Sequence, residues 1–293
     1  MLVNNKVIDE EKVKIIIDDV RKKKELKELS EGFVREHLSK YLQQKSRAAD
    51  SLIKNFNQKS SDYKKLVKEI RANLRRLYGL FRVEEEAKRR KELVEELLQS
   101  EKKQRKNIID KILSTHSSTK ERMPFYEKIY EKIFLMTGKP ESIIDLGCGI
   151  NPFSISYMGL NKLDYHAYDL SVEEIGGLNL YFKLLHQENK HFRGKAEILD
   201  IMNWVKISKL STDICFLFKM TDVLDSGRGH KAAETVVKNV PAKYVVVSFP
   251  TRTMSGKKMN FPRRKWIELM CERLGYKFKM IKFANEIFYV VKK

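Results

Sequence analysis

The sequence predicts an α/β protein, a doubly wound and mostly parallel sheet whose last strand is antiparallel, preceded by an all-helical domain. Three observations carry this. Up to about Leu113 the chain has helical periodicity, almost no glycine and no proline. From Ser142 onward short apolar runs alternate with helical stretches, the pattern of a sheet covered on both faces. The first of these runs enters the turn Gly147-Cys148-Gly149, and twenty residues after Gly149 the second run closes on an acid, Asp169. The boundary is placed near Ser114, giving a helical domain over 1–113 and a sheet domain over 114–293.

In the helical part, Tyr63, Leu66, Val67, Ile70, Leu74, Leu77 and Tyr78 recur at three- and four-residue spacing. Lys64, Lys65, Lys68, Arg71, Arg75 and Arg76 fall mainly on the other faces, so the segment reads as an amphipathic basic helix. The run Glu84–Lys106 mixes both signs and fits a solvated face laced with intrahelical pairs. Ser118-Thr119-Lys120-Glu121 has capping-box spacing and predicts one helix running on through Tyr126, Ile129, Ile133 and Phe134. Ile143, Ile144 and Leu146 make a strand over 143–147; a helix near 153–158 and a strand over 164–168 follow. Next come a helix over 172–187, strands over 195–199 and 213–218, a helix over 230–239, a strand over 243–249 and a helix over 262–274. The final strands, 277–283 and 286–291, have only the hairpin Ala284-Asn285 between them, which turns the last strand antiparallel to its neighbour.

The charge is lopsided. With 59 basic against 39 acidic residues the chain carries a formal charge of +20, which makes a polyanion its natural partner and a membrane surface the competing one. The excess is local: Gln44–Arg82 holds 11 Lys or Arg against 3 Asp or Glu, whereas Met1–Gln43 is close to balance. Such a one-signed segment suits phosphates, where Lys and Arg displace condensed counterions and position a protein without reading sequence. No apolar run approaches the ~20 residues that span a bilayer, so a soluble, cytoplasmic protein is expected. Cys148, Cys215 and Cys271 are odd in number and widely spaced, and His166, His186, His191 and His230 do not cluster with them. Buried thiols in a reducing compartment and no metal are expected.

The turn after the first strand narrows the ligand. A dinucleotide site wants a third glycine and a bare helix start for the pyrophosphate, but Ile150, Asn151 and Pro152 follow Gly149. S-adenosylmethionine fits better, since its adenosine is uncharged and the glycines need only allow close backbone approach. A dinucleotide enzyme and an ordinary tight strand-to-helix turn remain the alternatives.

The segments Arg71-Ala-Asn-Leu-Arg-Arg-Leu-Tyr-Gly-Leu-Phe81, His116-Ser-Ser-Thr-Lys-Glu-Arg-Met-Pro124, Asp145-Leu-Gly-Cys-Gly-Ile-Asn-Pro152, Tyr165-His-Ala-Tyr-Asp169, Phe216-Leu-Phe-Lys219, Val247-Ser-Phe-Pro-Thr-Arg252 and Asn285-Glu-Ile-Phe-Tyr-Val-Val291 occur in this order. Together they resemble one family, the aminoglycoside-resistance 16S rRNA guanine-N7 methyltransferases, which modify a decoding-site guanine in helix 44 of the small ribosomal subunit. Met1–Gln43 has no clear counterpart, and Thr253–Asn260 is shorter and poorer in glycine than the family's loop.

The resemblance implies a class I methyltransferase sheet, S-adenosylmethionine as cofactor, and 16S rRNA in the assembled 30S subunit as partner. It also implies an enzyme; the sequence does not reveal the oligomeric state, and a monomer is the expectation. By the same resemblance Arg122 engages the cofactor carboxylate, with His116, Ser117 and Ser118 closing over that end. Gly147 allows backbone approach, Asp169 and Leu170 meet the ribose, Asp200 and Ile201 meet the adenine, and Phe81 lies near the cofactor. Lys219, ending the fourth strand at the mouth of the sheet, is a candidate for the cofactor and the substrate side, and Arg252, Lys257 and Lys258, on the loop after the fifth strand, are candidates for RNA backbone near the target, Arg252 also for the substrate side. Read from the residues alone, Arg122 could instead pair with Glu121 or Glu127, Asp200 could cap a helix over Met202–Val205, Phe81 could be core, and Lys219 could be a strand-end lysine reaching water. Guanine N7 carries a free lone pair, so no catalytic base is expected. Methylation of an adenine N1 or of tRNA, and a non-catalytic ribosome-binding factor, are the competing functions.

Overall fold

The computed structural model describes residues 1–4, 6–27, 29–77, 84–209, 211–224, 229–253, 256–260 and 262–293. The chain forms two compact units, one of Met1–Glu84 with Leu170–Val172, the other of Glu85–Asp169 with Glu173–Lys293.

The first unit opens with a two-stranded antiparallel ribbon, β1 (Leu2–Val3) and β2 (Lys6–Val7), and continues with helices α1 (Glu10–Arg21), α2 (Glu31–Gln44), α3 (Ser46–Lys54) and α4 (Ser61–Leu77). Local chemistry sets the helix starts. Asp9 caps α1 by accepting from Glu11 and Lys12 N–H, and Ser30 caps α2 by accepting from Phe33 N–H. The expected apolar stripe of α4 is inside: Tyr63, Leu66, Val67, Ile70 and Leu74 are buried with Val13, Ile16, Ile17 and Val20 of α1 in one core.

The second unit begins with α5 (Glu84–Gln99) and α6 (Lys102–Ser114), so the division falls at Glu84/Glu85 and not near Ser114. The reason is packing. Leu93, Val94, Leu97, Ile108, Ile109, Ile112 and Leu113 share the core beneath the sheet, and periodicity alone does not say which core a helical stripe joins. Two further helices follow, α7 (Ser117–Arg122) and α8 (Tyr126–Thr137), separated by a 3₁₀ turn over Met123–Phe125. One continuous helix was expected here, but Pro124 has no N–H to donate, and the chain tightens around it. The cap also differs: His116, not Ser118, precedes the first turn, and its Nδ1 accepts from Ser118 N–H at 3.3 Å.

The sheet then builds as β3 (Ser142–Leu146), β4 (Leu163–Asp169), α9 (Val172–Glu188), β5 (Phe192–Ile198), α10 (Trp204–Ile207), β6 (Thr212–Phe218), α11 (Thr221–Leu224), α12 (Lys231–Asn239), β7 (Ala242–Pro250), α13 (Lys265–Leu274), β8 (Lys277–Lys282) and β9 (Glu286–Lys292). A 3₁₀ helix over Asn151–Tyr157 takes the place of the short helix expected near 153–158. Strand order is β5-β4-β3-β6-β7-β9-β8, parallel except for β9, which runs antiparallel to both neighbours. The last strand is thus inserted between β7 and β8, with Val245 opposite Val291 and Phe249 opposite Ile287. Both faces of β9 are covered, which explains its unbroken run Ile287–Val291; edge strand β8 alternates and exposes Lys277 and Lys279. Order reverses between β3 and β6, the position at which doubly wound sheets open a crevice beyond the strand ends.

Among the described residues no helix is long and apolar enough to cross a membrane. No three His, Cys, Asp or Glu side chains among them gather as a metal-binding group. All three cysteines are buried and free.

One glycine in the sheet is set by space. A Cβ on Gly194 of β5 would stand 2.7 Å from Phe182 Cγ and 2.8 Å from Phe192 Cζ. Gly194→Ala should therefore lower the free energy of unfolding by about 1–3 kcal/mol through overpacking, read as a lower urea midpoint at unchanged slope.

Candidate active site

The crevice is built from the turn after β3. Gly147 and Cys148 both donate N–H to Tyr168 O, at 2.8 and 3.0 Å, and Gly149 N–H donates to Asp169 Oδ2 at 2.8 Å. The loop is thereby laid across the end of β4. Gly147 adopts φ +67°, and an added Cβ would lie 2.7 Å from Met220 Cγ, so both backbone and space require glycine there. Gly149, at φ +48°, has nothing within 4 Å of where a Cβ would stand.

Behind this turn lies a buried polar network. Asp145 of β3, 1% exposed, accepts from Tyr165 OH at 2.7 Å and from Asn151 Nδ2 at 2.9 Å. Burial pushes its carboxyl up to about 6, against the pull of those two donors. Asn151 Oδ1 in turn accepts from Tyr126 OH at 3.2 Å and from Arg122 Nη1 at 3.1 Å. Arg122 is 3% exposed and reaches Glu286 through Nε, at 2.9 and 3.1 Å to the two carboxylate oxygens, with its guanidinium over the Phe218 ring. Burial works against that charge, but Glu286 outweighs it and holds the guanidinium above its ordinary pKa. Glu286 also accepts from Ser248 Oγ.

Lys219 ends the network at the mouth of β6. Its Nζ lies 2.6 Å from Glu121 and 3.6 Å from Glu286, and its N–H donates to Ser248 O and Oγ. It holds φ +57°, a left-handed conformation that costs a residue with a side chain on the order of 1–3 kcal/mol. His116 faces the same cluster. Burial first, then Arg90, Arg122 and Lys219, lower its imidazole pKa to about 4.

The structure thus gathers His116, Arg122, Gly147, Asp169 and Lys219 in the second unit around the ends of β3, β4 and β6. Arg122 pairs with Glu286 in the interior, not with Glu121 or Glu127 at the surface. Lys219 does not simply reach for water; its side chain is bracketed by two acids. Ser117 is exposed and Ser118 half-buried. Asp200 Oδ1 accepts from Met202 N–H at 2.9 Å, closing a turn, while the first turn of α10 is capped by Asn203, whose Oδ1 accepts from Lys206 N–H. Ile201 is buried in the core on that face of the sheet. Leu170 groups with the first unit, partly buried against its core. Arg252, Lys257 and Lys258 are exposed on the loop after β7, where Arg252 bridges to Lys258 and donates to Gly256 O. Phe81 and the Arg76 side chain lie outside the described residues.

The basic helix divides into two sets. Lys64, Lys65 and Lys68 are exposed, and Lys64 and Lys68 line a cleft of 470 Å³ together with Lys23 and Tyr63. Arg71 is spent inside: it donates to the carbonyls of Asp19 and Val20 and pins α4 to the end of α1. Arg75 pairs with Glu25 at 2.5 Å.

Sequence reasoning missed Glu286, Asn151 and Ser248. Each had a local signal, a polar residue at the head of or within an apolar run, or an amide inside the glycine turn, but none points to a partner far along the chain.

A seven-stranded sheet with its last strand inserted antiparallel, a glycine turn after β3 and an acid closing β4 together define a class I methyltransferase. The ribosomal RNA methyltransferase (FmrO) family model matches residues 49–290, and the chain belongs to that family. Among relatives, the 16S rRNA (guanine(1405)-N(7))-methyltransferase of Proteus mirabilis is 26% identical over 243 residues, 78% of this chain and 84% of that protein. The enzyme of the same name from Frankia casuarinae is 28% identical over 184 residues, 62% of each chain and so less than two thirds of the relative. Among solved structures, the 16S rRNA methyltransferase RmtF in complex with S-adenosyl-L-homocysteine superposes with a TM-score of 0.72 at 20% identity, covering 98% of this chain and 100% of that one. The 16S rRNA methylase RmtB gives 0.68 at 19% identity, with the same coverage. Both show the shared fold.

The depressed imidazole makes a pH prediction. In the folded chain His116 takes a proton only near pH 4, against an ordinary value of 6.5, so its contribution to stability is full above about 6.5 and is lost as pH falls toward 4. Asp145 has the opposite sign, because a raised folded pKa favours the fold as pH drops below 6. His116→Asn retains a capping side chain and should flatten the acid limb between pH 6.5 and 4 relative to the parent, measured as denaturant midpoint against pH.

Proposed function

We propose that this chain transfers a methyl group from S-adenosylmethionine to N7 of a decoding-site guanine of 16S rRNA, acting in the cytoplasm on the assembled 30S subunit. The observation that carries the reading is the gathering of Gly147, Asp169, Arg122 and Lys219 at the reversal of the sheet, in a family whose relatives bear that activity in their names.

The residues present fit the cofactor. Open space beside Gly149 gives room for a flat base or sugar, and Asp169, already oriented by Gly149 N–H, has carboxylate capacity for ribose hydroxyls. Arg122 offers the planar fork that matches a carboxylate, with Asp200 and Ile201 at the adenine end and His116 and Ser118 over the methionine end. When bound, S-adenosylmethionine supplies an electrophilic methyl on a sulfonium.

The chain then has little chemistry to perform beyond placement. N7 carries no proton and needs no base, so the work is to hold nucleophile and methyl in line, which can supply about 7–11 kcal/mol of the barrier. Methylation leaves the purine positive. Here Arg122 and Lys219 are matched by Glu121 and Glu286, so the cluster presents no net cation to a base that gains charge. In A-form RNA, N7 lies in a deep, narrow groove, and the target must be flipped out or its helix opened, at a cost of a few kcal/mol. Phosphate contacts fall to the exposed Lys64, Lys65 and Lys68 of the helical unit and to Arg252, Lys257 and Lys258.

Incubating purified enzyme with 30S subunits and labelled donor, then digesting the RNA for mass spectrometry, should yield 7-methylguanosine at one decoding-site position. A methyl on adenine N1 or in tRNA, or no label from well-folded protein, rejects the proposal. Reversing Lys64, Lys65 and Lys68 to Glu should weaken subunit binding and reduce its salt slope by up to about 3 while cofactor affinity is kept. Arg71 is left out because its substitution would loosen α4 from α1.

A further inference from the structure

We propose that Asn151 is a positioning residue that aims Arg122, its buried carboxamide tying the guanidinium to Asp145 of β3 so that the fork is already set when the carboxylate of the methyl donor arrives. This rests on the cofactor reading given for Arg122 and adds a residue to it.

The amide can sit only one way. Oδ1 receives two donors, Arg122 Nη1 at 3.1 Å and Tyr126 OH at 3.2 Å, while Nδ2 donates to Asp145 Oδ2 at 2.9 Å. Turned over, its NH₂ would face a guanidinium and its oxygen a carboxylate. Asn151 is 2% exposed, and its backbone is fixed on both sides: N–H donates to Cys148 O at 2.9 Å, and its carbonyl accepts from Ser154 Oγ at 2.6 Å. The rigid 3₁₀ turn therefore dictates where the amide stands, and the amide dictates the Nη1 direction.

Glu286 does not do this alone. Both its oxygens engage Nε, which neutralises the charge but leaves the far end of the fork to be directed from elsewhere. Phe218 supports the guanidinium face, and Asn151 supplies the in-plane bond. Alanine here would leave Nη1, the Tyr126 hydroxyl and one acceptor position on Asp145 unmet, all at buried residues.

The test compares calorimetric binding of S-adenosylmethionine with that of 5′-methylthioadenosine, which keeps the adenosine and lacks the carboxylate. Asn151→Ala should weaken S-adenosylmethionine about tenfold or more while 5′-methylthioadenosine stays within about twofold. Tyr126→Phe, which keeps the packing and removes one donor to Oδ1, should show the same selectivity at a few-fold, and it carries the test should the alanine variant not fold. Equal weakening of both ligands, or no change in either, overturns the inference, since a residue needed only for the fold would not discriminate between them. Arg122→Lys separates the two layers. If it too leaves the ligands undiscriminated, the cofactor reading of Arg122 falls; if it is selective and Asn151→Ala is not, only the role of Asn151 falls.

Discussion

Arg122 carries a full charge into a nearly buried position, and Glu286, 164 residues further along the chain, is what makes that possible. An ion pair at this depth gains little over an apolar pair of the same shape, yet removing either partner alone costs about 3–5 kcal/mol because the other is left uncompensated. Such a pair is weak evidence of selection for stability. It does tie α7 to the start of β9, and through Asn151 and Asp145 to β3, so three distant segments meet at one guanidinium. The glycine turn, the tyrosine hydroxyls of Tyr126 and Tyr165, and the lysine at the end of β6 all take their places around that junction.

The same logic explains the charge arrangement at the crevice. Lys219 stands in a left-handed backbone conformation at the end of an otherwise regular strand, a cost offset by two N–H contacts to Ser248 and by acids on either side of its ammonium. Cations in this site are therefore oriented and balanced, unlike those of the helical unit. There, Lys64, Lys65 and Lys68 are left to solvent and remain open to long-range attraction by phosphates, which salt screens over about 10 Å.

Much of this was readable beforehand, and what was not has physical causes. The inner strands β3, β6, β7 and β9 stood out because their residues are largely apolar on both faces, and the glycine turn because few residue types satisfy a positive φ. The insertion of β9 between β7 and β8 was hidden: a local pattern says that a strand exists and not whom it pairs with. The mixed charges of Glu84–Lys106 suggested a solvated face, and nothing local says that Leu93, Val94 and Leu97 belong under the sheet. Arg71 looked like one more basic residue of a binding face, and only the nearby carbonyls of Asp19 and Val20 reveal it as a structural pin. Glu286 and Asn151 stand within recognisable motifs, yet their importance lies in contacts with Arg122 that sequence separation conceals.

The inserted strand has a consequence for biogenesis. Because Glu286 opens β9, a nascent polypeptide that has emerged only as far as β8 already contains Arg122, the glycine turn and Asp169, but it lacks the carboxylate that pairs directly with the guanidinium. The hydrogen-bonded network around Arg122 is therefore completed only once β9 has been made.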